Sequence, residues 1–196
     1  MRIVVKAANW LGDAVMSLPA LRSLRAMRPD AHIAVLTKRG LSDLYRCAPY
    51  VDEVVAYDTW LGARSAIRSR YDVALLLPRS FSSALLAFGS RIPRRIGYTG
   101  EGRGAMLTDR VPREPSLLTR HRVHYYHHLL SRLGTPPDPE PPSMETPGDA
   151  RSWAAERLSA GPFIGLNPGA TYGIAKQWVP ERFIELARRL SEHGRI

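Results

Sequence analysis

Apolar residues along the chain fall into short runs separated by helical stripes. Ile3–Lys6, His32–Thr37, Val51–Tyr57, Tyr71–Leu77 and Arg94–Tyr98 are strand-length and rich in β-branched or aliphatic residues. Between them the spacing turns helical. Val15, Leu18, Leu21 and Leu24 mark one side of a helix over Asp13–Met27, which Pro29-Asp30 stops. Leu41–Cys47, Trp60–Arg70 and Phe81–Phe88 read as shorter helices, and Arg122–Leu133 as an amphipathic one. Gly100–Gly104 reads as a mobile loop. Short buried strands alternating with helices predict an α/β fold: a parallel sheet covered by helices on both faces.

The pattern then breaks. Residues 136–149 hold six prolines and read as an extended linker, dividing a domain over 1–135 from a second unit over 150–196. The second unit has a helix at Ala150–Leu158, a strand at Phe163–Asn167, a loop at Pro168–Gln177 and a helix at Glu181–His193. Gly194 stands as its C-cap, and a further strand begins at Arg195. A lone strand and helix need neighbouring strands. The expectation is therefore an incomplete second domain from a longer protein, the alternative being an edge strand added to the first sheet.

Composition narrows the class. The chain has 196 residues, 44% apolar and 23% charged, which is globular in character. The single Cys47 leaves no internal disulfide framework. Apolar runs fall far short of the ~20 residues of a membrane span, and the N-terminus lacks the apolar stretch of a signal peptide. The net charge is +10, unevenly placed: +11 on residues 1–135 and −1 on the remainder. The excess, 25 Arg among 28 cations, points to an anionic partner such as a phosphorylated substrate, a membrane surface or nucleic acid. No recognised nucleic-acid motif is found and few aromatics are interleaved with the basic residues, so nucleic acid is not expected as partner.

Three places have candidate chemistry. Asn9-Trp10-Leu11-Gly12-Asp13 joins the first strand to the first helix, at the sheet edge where ligands bind in open α/β sheets. Gly12 permits close approach of a ligand, and Asp13 either caps the helix or acts on that ligand. Gly165–Trp178 runs from a strand into a loop of small residues with one lysine, Lys176; its N–H groups suit a phosphate, or it is an ordinary strand–helix connection. It lacks P-loop spacing, and no Gly-x-Gly-x-x-Gly follows the first strand. His121, His124, His127 and His128 include an i, i+4 pair suited to a metal, but without a completing Glu or Cys a solvated helix flank is the stronger reading.

Residues Asn9–Leu21 and Leu166–Trp178, with Leu77–Ala84 and Arg95–Tyr98 between them, resemble glycosyltransferase family 9, the ADP-heptose:lipopolysaccharide heptosyltransferases, and are nearest its heptosyltransferase II branch. Two small departures are Ala8 where the family often has proline, and Trp178-Val179-Pro180 where it has Trp-Pro. The resemblance implies a B-type glycosyltransferase of two Rossmann-like domains, of which this chain holds the acceptor-binding first and the opening of the nucleotide-sugar-binding second. It implies inverting transfer of heptose from ADP-heptose to the phosphorylated inner core of lipopolysaccharide, with Asp13 as general base and without metal or other cofactor; the alternatives are a family member using a different nucleotide sugar or acceptor, and a non-catalytic basic module that binds nucleic acid. Gly12, Gly169, Ala170, Thr171 and Lys176 would hold the donor. Asn9, Trp10, Arg64, Arg68, Arg94, Arg95 and Arg120 would hold the acceptor. The implied place is the cytoplasm, at the inner face of the cytoplasmic membrane.

Overall fold

A computed structural model describes residues 1–158, 163–170 and 176–194. The chain divides into two compact units, Met1–Glu145 and Thr146–Ile196.

The first unit is a six-stranded, fully parallel sheet in the order β3-β2-β1-β4-β5-β6. The strands are β1 (Arg2–Lys6), β2 (His32–Lys38), β3 (Glu53–Tyr57), β4 (Val73–Leu76), β5 (Arg94–Tyr98) and β6 (Asp109–Val111). Its helices are α1 (Leu11–Met27), α2 (Ser42–Arg46), α3 (Trp60–Ile67), α4 (Phe81–Gly89), α5 (Ser116–Thr119) and α6 (Arg122–His128). Alternating strand positions feed two cores. Ile3, Val5, Ile33, Val35 and Leu75 pack with Leu18, Leu21 and Leu24 of α1 and with Tyr125, Tyr126 and Leu129. Val4, Ala34, Leu36, Ala74 and Leu76 pack on the other face with Ala63 and Ile67 of α3 and Ala84, Leu86 and Ala87 of α4. Both faces being dry is what makes these strands near-continuous apolar runs.

Several boundaries move inward. β3 starts at Glu53 rather than Val51, β4 spans only Val73–Leu76, and α3 ends at Ile67. A 3-10 turn, Arg39–Leu41, precedes α2, and α6 tightens into a 3-10 turn at Leu129–Arg132. The expected loop at 100–104 is structured. Gly100, Glu101 and Gly102 take positive φ of 120°, 51° and 69°, and the chain then buries Arg103 completely. That turn leads into β6, a strand of three residues whose pattern is too short to read from sequence.

β6 is the edge strand, and an ion pair ties it to β5. Arg94 Nη2 and Nε donate to Asp109 Oδ1 at 2.7 and 3.1 Å. The proline-rich stretch has no regular structure up to residue 147, yet it lies along the first unit. Tyr50 donates to the Ser143 carbonyl at 3.0 Å, the Glu145 N–H donates to the Cys47 carbonyl at 2.7 Å, and Glu140 pairs with Arg22 at 2.7 Å.

The second unit contains α7 (Gly148–Arg157) and α8 (Pro180–Leu190), neither with a buried residue. α8 ends with Ser191 as C-cap, so Gly194 is not the cap. The strand expected at 163–167 is reduced to a single bridge at Phe163, and residues 164–170 have no regular structure. Sheet pairing requires neighbouring strands, and the described residues supply no ladder for it. The strand expected from Arg195 lies outside the described residues.

The Arg94 hydrogen bonds, against the opposing effect of burial, hold the Asp109 carboxyl below its ordinary 3.8, with Thr108 assisting. A carboxylate lowered by folding contributes stability that is fully present above its ordinary value and is lost as pH falls through the lowered one. Asp109→Asn should therefore cost about 1 kcal/mol at neutral pH and flatten the stability loss on acidification below 3.8. Urea unfolding at pH 7 and pH 3 checks this.

Candidate active site

The strand order reverses between β1 and β4. β2 and β3 extend to one side of β1, while β5 and β6 extend beyond β4. The loops leaving the carboxyl ends of β1 and β4 consequently part, and a cleft of about 440 Å³ opens there. Ala8, Asn9, Trp10 and Asp13 line it from the first loop and Leu77, Pro78, Arg79 and Ser80 from the second; Glu101, Arg113, Leu118, Arg122, Tyr125 and Tyr126 close it.

Asp13 is in the first turn of α1, whose N-cap is Trp10. The capping role considered for Asp13 is thus not the one it plays. Tyr126 of α6 donates to Asp13 Oδ1 at 2.7 Å, and Arg122 Nε lies 3.6 Å from the same oxygen. Arg122 itself stacks over Tyr125, 4.4 Å from the ring centroid. Burial, reinforced by the Asp13 hydrogen bond, pushes the Tyr126 phenol well above its ordinary value, so Tyr126 is a neutral donor that orients the carboxylate.

The cleft is cationic. Arg79, Arg113 and Arg122 meet two carboxylates, Asp13 and Glu101, and Glu101 is paired to Arg79 at 3.1 Å. Behind the wall is Arg103, fully buried, whose Nη1 donates to the Pro78 carbonyl at 2.6 Å, the Ser80 carbonyl at 3.3 Å and Ser83 Oγ at 3.2 Å. Its Nε and Nη2, and the buried Tyr125 hydroxyl, have no hydrogen-bond partner. Buried donors without acceptors are costly, which makes this wall of the cleft electropositive and under-satisfied.

Of the residues expected from sequence, Asn9, Trp10 and Asp13 come together in the cleft. Gly12 sits beside them in α1, and a Cβ there would meet no atom within 4 Å. Arg64, Arg68, Arg94, Arg95 and Arg120 do not line it. Arg64 donates to the Gly89 carbonyl at 3.0 Å, Arg94 binds Asp109, and Arg95 is spent on the Met106 and Pro93 carbonyls at 2.6 and 2.9 Å. Arg68 is the exposed C-cap of α3, and Arg120 lines a different hollow with His124 and His128. These side chains serve the fold or face solvent because they leave strands and helices away from the switch point. Arg79 follows β4 directly, so the strand-end rule that selected Asp13 also marks it. Arg113, Arg122 and Tyr126 come from about a hundred residues downstream, and no local pattern announces them.

The histidines divide. His127 is buried against Ser23 at 3.2 Å, and burial lowers its pKa, so it is not part of a solvated flank. His121 caps α6, and His128 lies 3.9 Å from Glu114. Among the described residues no three His, Cys, Asp or Glu side chains are grouped to hold a metal ion. In the second unit the Gly169 N–H donates to Asn167 Oδ1 at 3.3 Å, Gln177 donates to the Ala170 carbonyl at 3.3 Å, and Lys176 is exposed. Thr171 lies outside the described residues.

Residues 60–196 match the family model described as Glycosyltransferase family 9 (heptosyltransferase). The chain belongs to that family. It is 33% identical to lipopolysaccharide heptosyltransferase 2 of Escherichia coli K12, over 99% of this chain and 61% of that protein. It is 32% identical to the Salmonella typhimurium protein of the same name, again over 99% and 61%. Among solved structures it matches E. coli ADP-heptose lps heptosyltransferase II with a TM-score of 0.83 at 30% identity, covering 100% of this chain and 62% of that one. A family 9 glycosyl transferase from Veillonella parvula matches with a TM-score of 0.83 at 23% identity, covering 99% and 60%, and supports the fold. The chain thus spans about three fifths of the length of these relatives, and it shares its fold with the matched part of them.

Arg103 fits only because residue 97 is glycine: a Cβ there would collide with the Arg103 guanidinium and press on Leu107 at 3.3 Å. Gly97→Ala should destabilise the first unit by about 1–3 kcal/mol, the overpacking range. Arg103→Met, which removes the clashing fork, should recover part of that loss in the double variant. Thermal melts of the single and double variants check the coupling.

Proposed function

We propose that the first unit is the acceptor-holding domain of a heptosyltransferase acting on the phosphorylated inner core of lipopolysaccharide, with ADP-heptose as donor. The observation that carries this reading is the pairing of one oriented carboxylate, Asp13, with a cationic cleft at the sheet's switch point. Both contacts of Asp13 end on Oδ1, leaving Oδ2 to accept the acceptor's hydroxyl proton. As that proton moves, the hydroxyl oxygen bonds to the anomeric carbon from the face opposite the diphosphate. The anomeric carbon–phosphate oxygen bond breaks, and ADP leaves with the electron pair. The stereochemistry inverts in a single displacement.

Arg79, Arg113 and Arg122 are placed to bind phosphate groups of the acceptor, since guanidinium forks match phosphate geometry. Tyr126 and Arg122 hold Asp13 in its working orientation. Charge developing on the departing diphosphate needs fixed cations and N–H donors; Lys176 and the backbone from Gly169 to Thr171 are the proposed source. The basic character of the first 135 residues suits work at an anionic membrane surface, and we place the enzyme at its cytoplasmic face. No helix among the described residues is long and apolar enough to cross a membrane.

Transfer assays on the full-length protein carrying this chain test the proposal. Asp13→Asn should lower turnover by ~10²–10⁴, the usual worth of a general base, while retaining acceptor binding. Turnover like that of the parent would refute the assignment. Arg79→Ala and Arg113→Ala should weaken binding of a phosphorylated acceptor and leave a dephosphorylated one unchanged.

A further inference from the structure

A second, smaller chamber opens beside the cleft, and nothing in the transfer chemistry above uses it. It measures about 90 Å³ and shares Asn9, Pro78 and Ser80 with the cleft wall. Lys6, the last residue of β1, points into it, with Tyr57, Ser82 and Ser83 around it. Lys6 is only 6% exposed. Its ammonium donates to the Ala7 carbonyl at 2.8 Å, reaches Asn9 Oδ1 at 3.4 Å and lies 5.1 Å from the Tyr57 ring centroid.

Among the described residues Lys6 makes no ion pair, and no carboxylate lines the chamber. Its only charged influence is repulsive: burial, then the nearby Lys38, pull its pKa down to about 8. A buried lysine without an acidic partner is rare and costly. The hydroxyls of Ser80, Ser82 and Ser83 lie at the N-terminus of α4, a helix of 9 residues, where partial positive charge gathers. Ser80 Oγ already accepts the Ser83 N–H as the α4 cap, and Ser83 Oγ donates to the Pro78 and Ser80 carbonyls, so the chamber offers an ammonium, the exposed Ser82 hydroxyl and the first turn of α4, and lacks an anion. Its volume is well below the ~300 Å³ of a small-molecule pocket, too little for a sugar ring or a nucleoside.

We propose that this chamber is a phosphoryl-binding subsite in which Lys6, Ser82 and the first turn of α4 hold one phosphate group. The group is either a substituent of a ligand whose body lies in the main cleft or free phosphate. The first source rests on the acceptor reading above; the second does not. The phosphate would supply the counter-ion that Lys6 lacks among the described residues.

The test uses the 196-residue chain at low salt, titrated with inorganic phosphate, glucose 6-phosphate and glucose, with backbone amide shifts as readout. The subsite predicts phosphate-induced shifts at Lys6, Ser82 and Ser83 and none with glucose. Lys6→Met should weaken binding by about tenfold or more, the worth of a charge-assisted hydrogen bond. Ser82→Asp, a change at an exposed residue that spares the fold, should abolish it by placing a carboxylate next to Lys6. Tighter binding of the sugar phosphate, with shifts extending to Asn9 and Arg79, assigns the subsite to a ligand in the cleft; equal or tighter binding of inorganic phosphate assigns it to the free ion. Phosphate shifts confined to Arg113 and Arg122 and unchanged by Lys6→Met would overturn the subsite and leave the acceptor reading intact. Full transfer by Asp13→Asn would overturn that reading and leave the subsite intact.

Discussion

The reversal of strand order between β1 and β4 governs what this chain can do. In a parallel sheet every strand runs in the same direction, so the loops that leave the strands gather at its carboxyl edge and those that enter them gather at the opposite one. Where successive connections run to the same side, they pack together. Where the order reverses, they separate and leave a crevice. Here the separating pair are the Ala7–Trp10 and Leu77–Ser80 loops, and both the cleft and the smaller chamber lie between them. The two apolar cores, above and below the sheet, fix the strand ends that carry these loops.

Three further constraints shape the cleft, and each reaches across the sequence. α6 packs on α1, so Tyr126 meets Asp13 across 113 positions. The 100–104 turn folds back beneath the β4 loop and delivers Glu101 to Arg79 and Arg103 to the Pro78 and Ser80 carbonyls. Gly97, on β5, leaves the space that Arg103 fills. An arginine buried with two nitrogens unpaired is expensive. Its carbonyl bonds fix the loop that presents Arg79, so that cost is borne where the cleft needs a rigid, electropositive wall.

Much of this was legible in the sequence. Strands with β-branched, two-sided apolar runs were found within two residues, because burial on both faces leaves little freedom in composition. β6 was not, since three residues, Asp109-Arg110-Val111, have no period to read. The strand expected over Phe163–Asn167 shows the reverse limit: its residues suit a sheet, but pairing is a property of neighbours. The place of Asp13 in the cleft is legible because loops at the carboxyl ends of strands border the switch point of an α/β sheet. Of the arginines expected at the acceptor, Arg64, Arg94 and Arg95 satisfy carbonyls or Asp109, because neither charge nor helical spacing says which way a side chain faces. Charge tells that a partner is anionic; only the topology tells which cations face it.

The central claim is that the anionic acceptor binds at the switch-point cleft. The most direct measurement is amide-shift mapping of the 196-residue chain titrated with a phosphorylated inner-core oligosaccharide. Binding at the cleft predicts shifts concentrated at Asn9–Asp13, Leu77–Ser80, Arg113 and Arg122. Shifts centred on Arg64, Arg68 or Arg120, with the cleft residues unmoved, would contradict it.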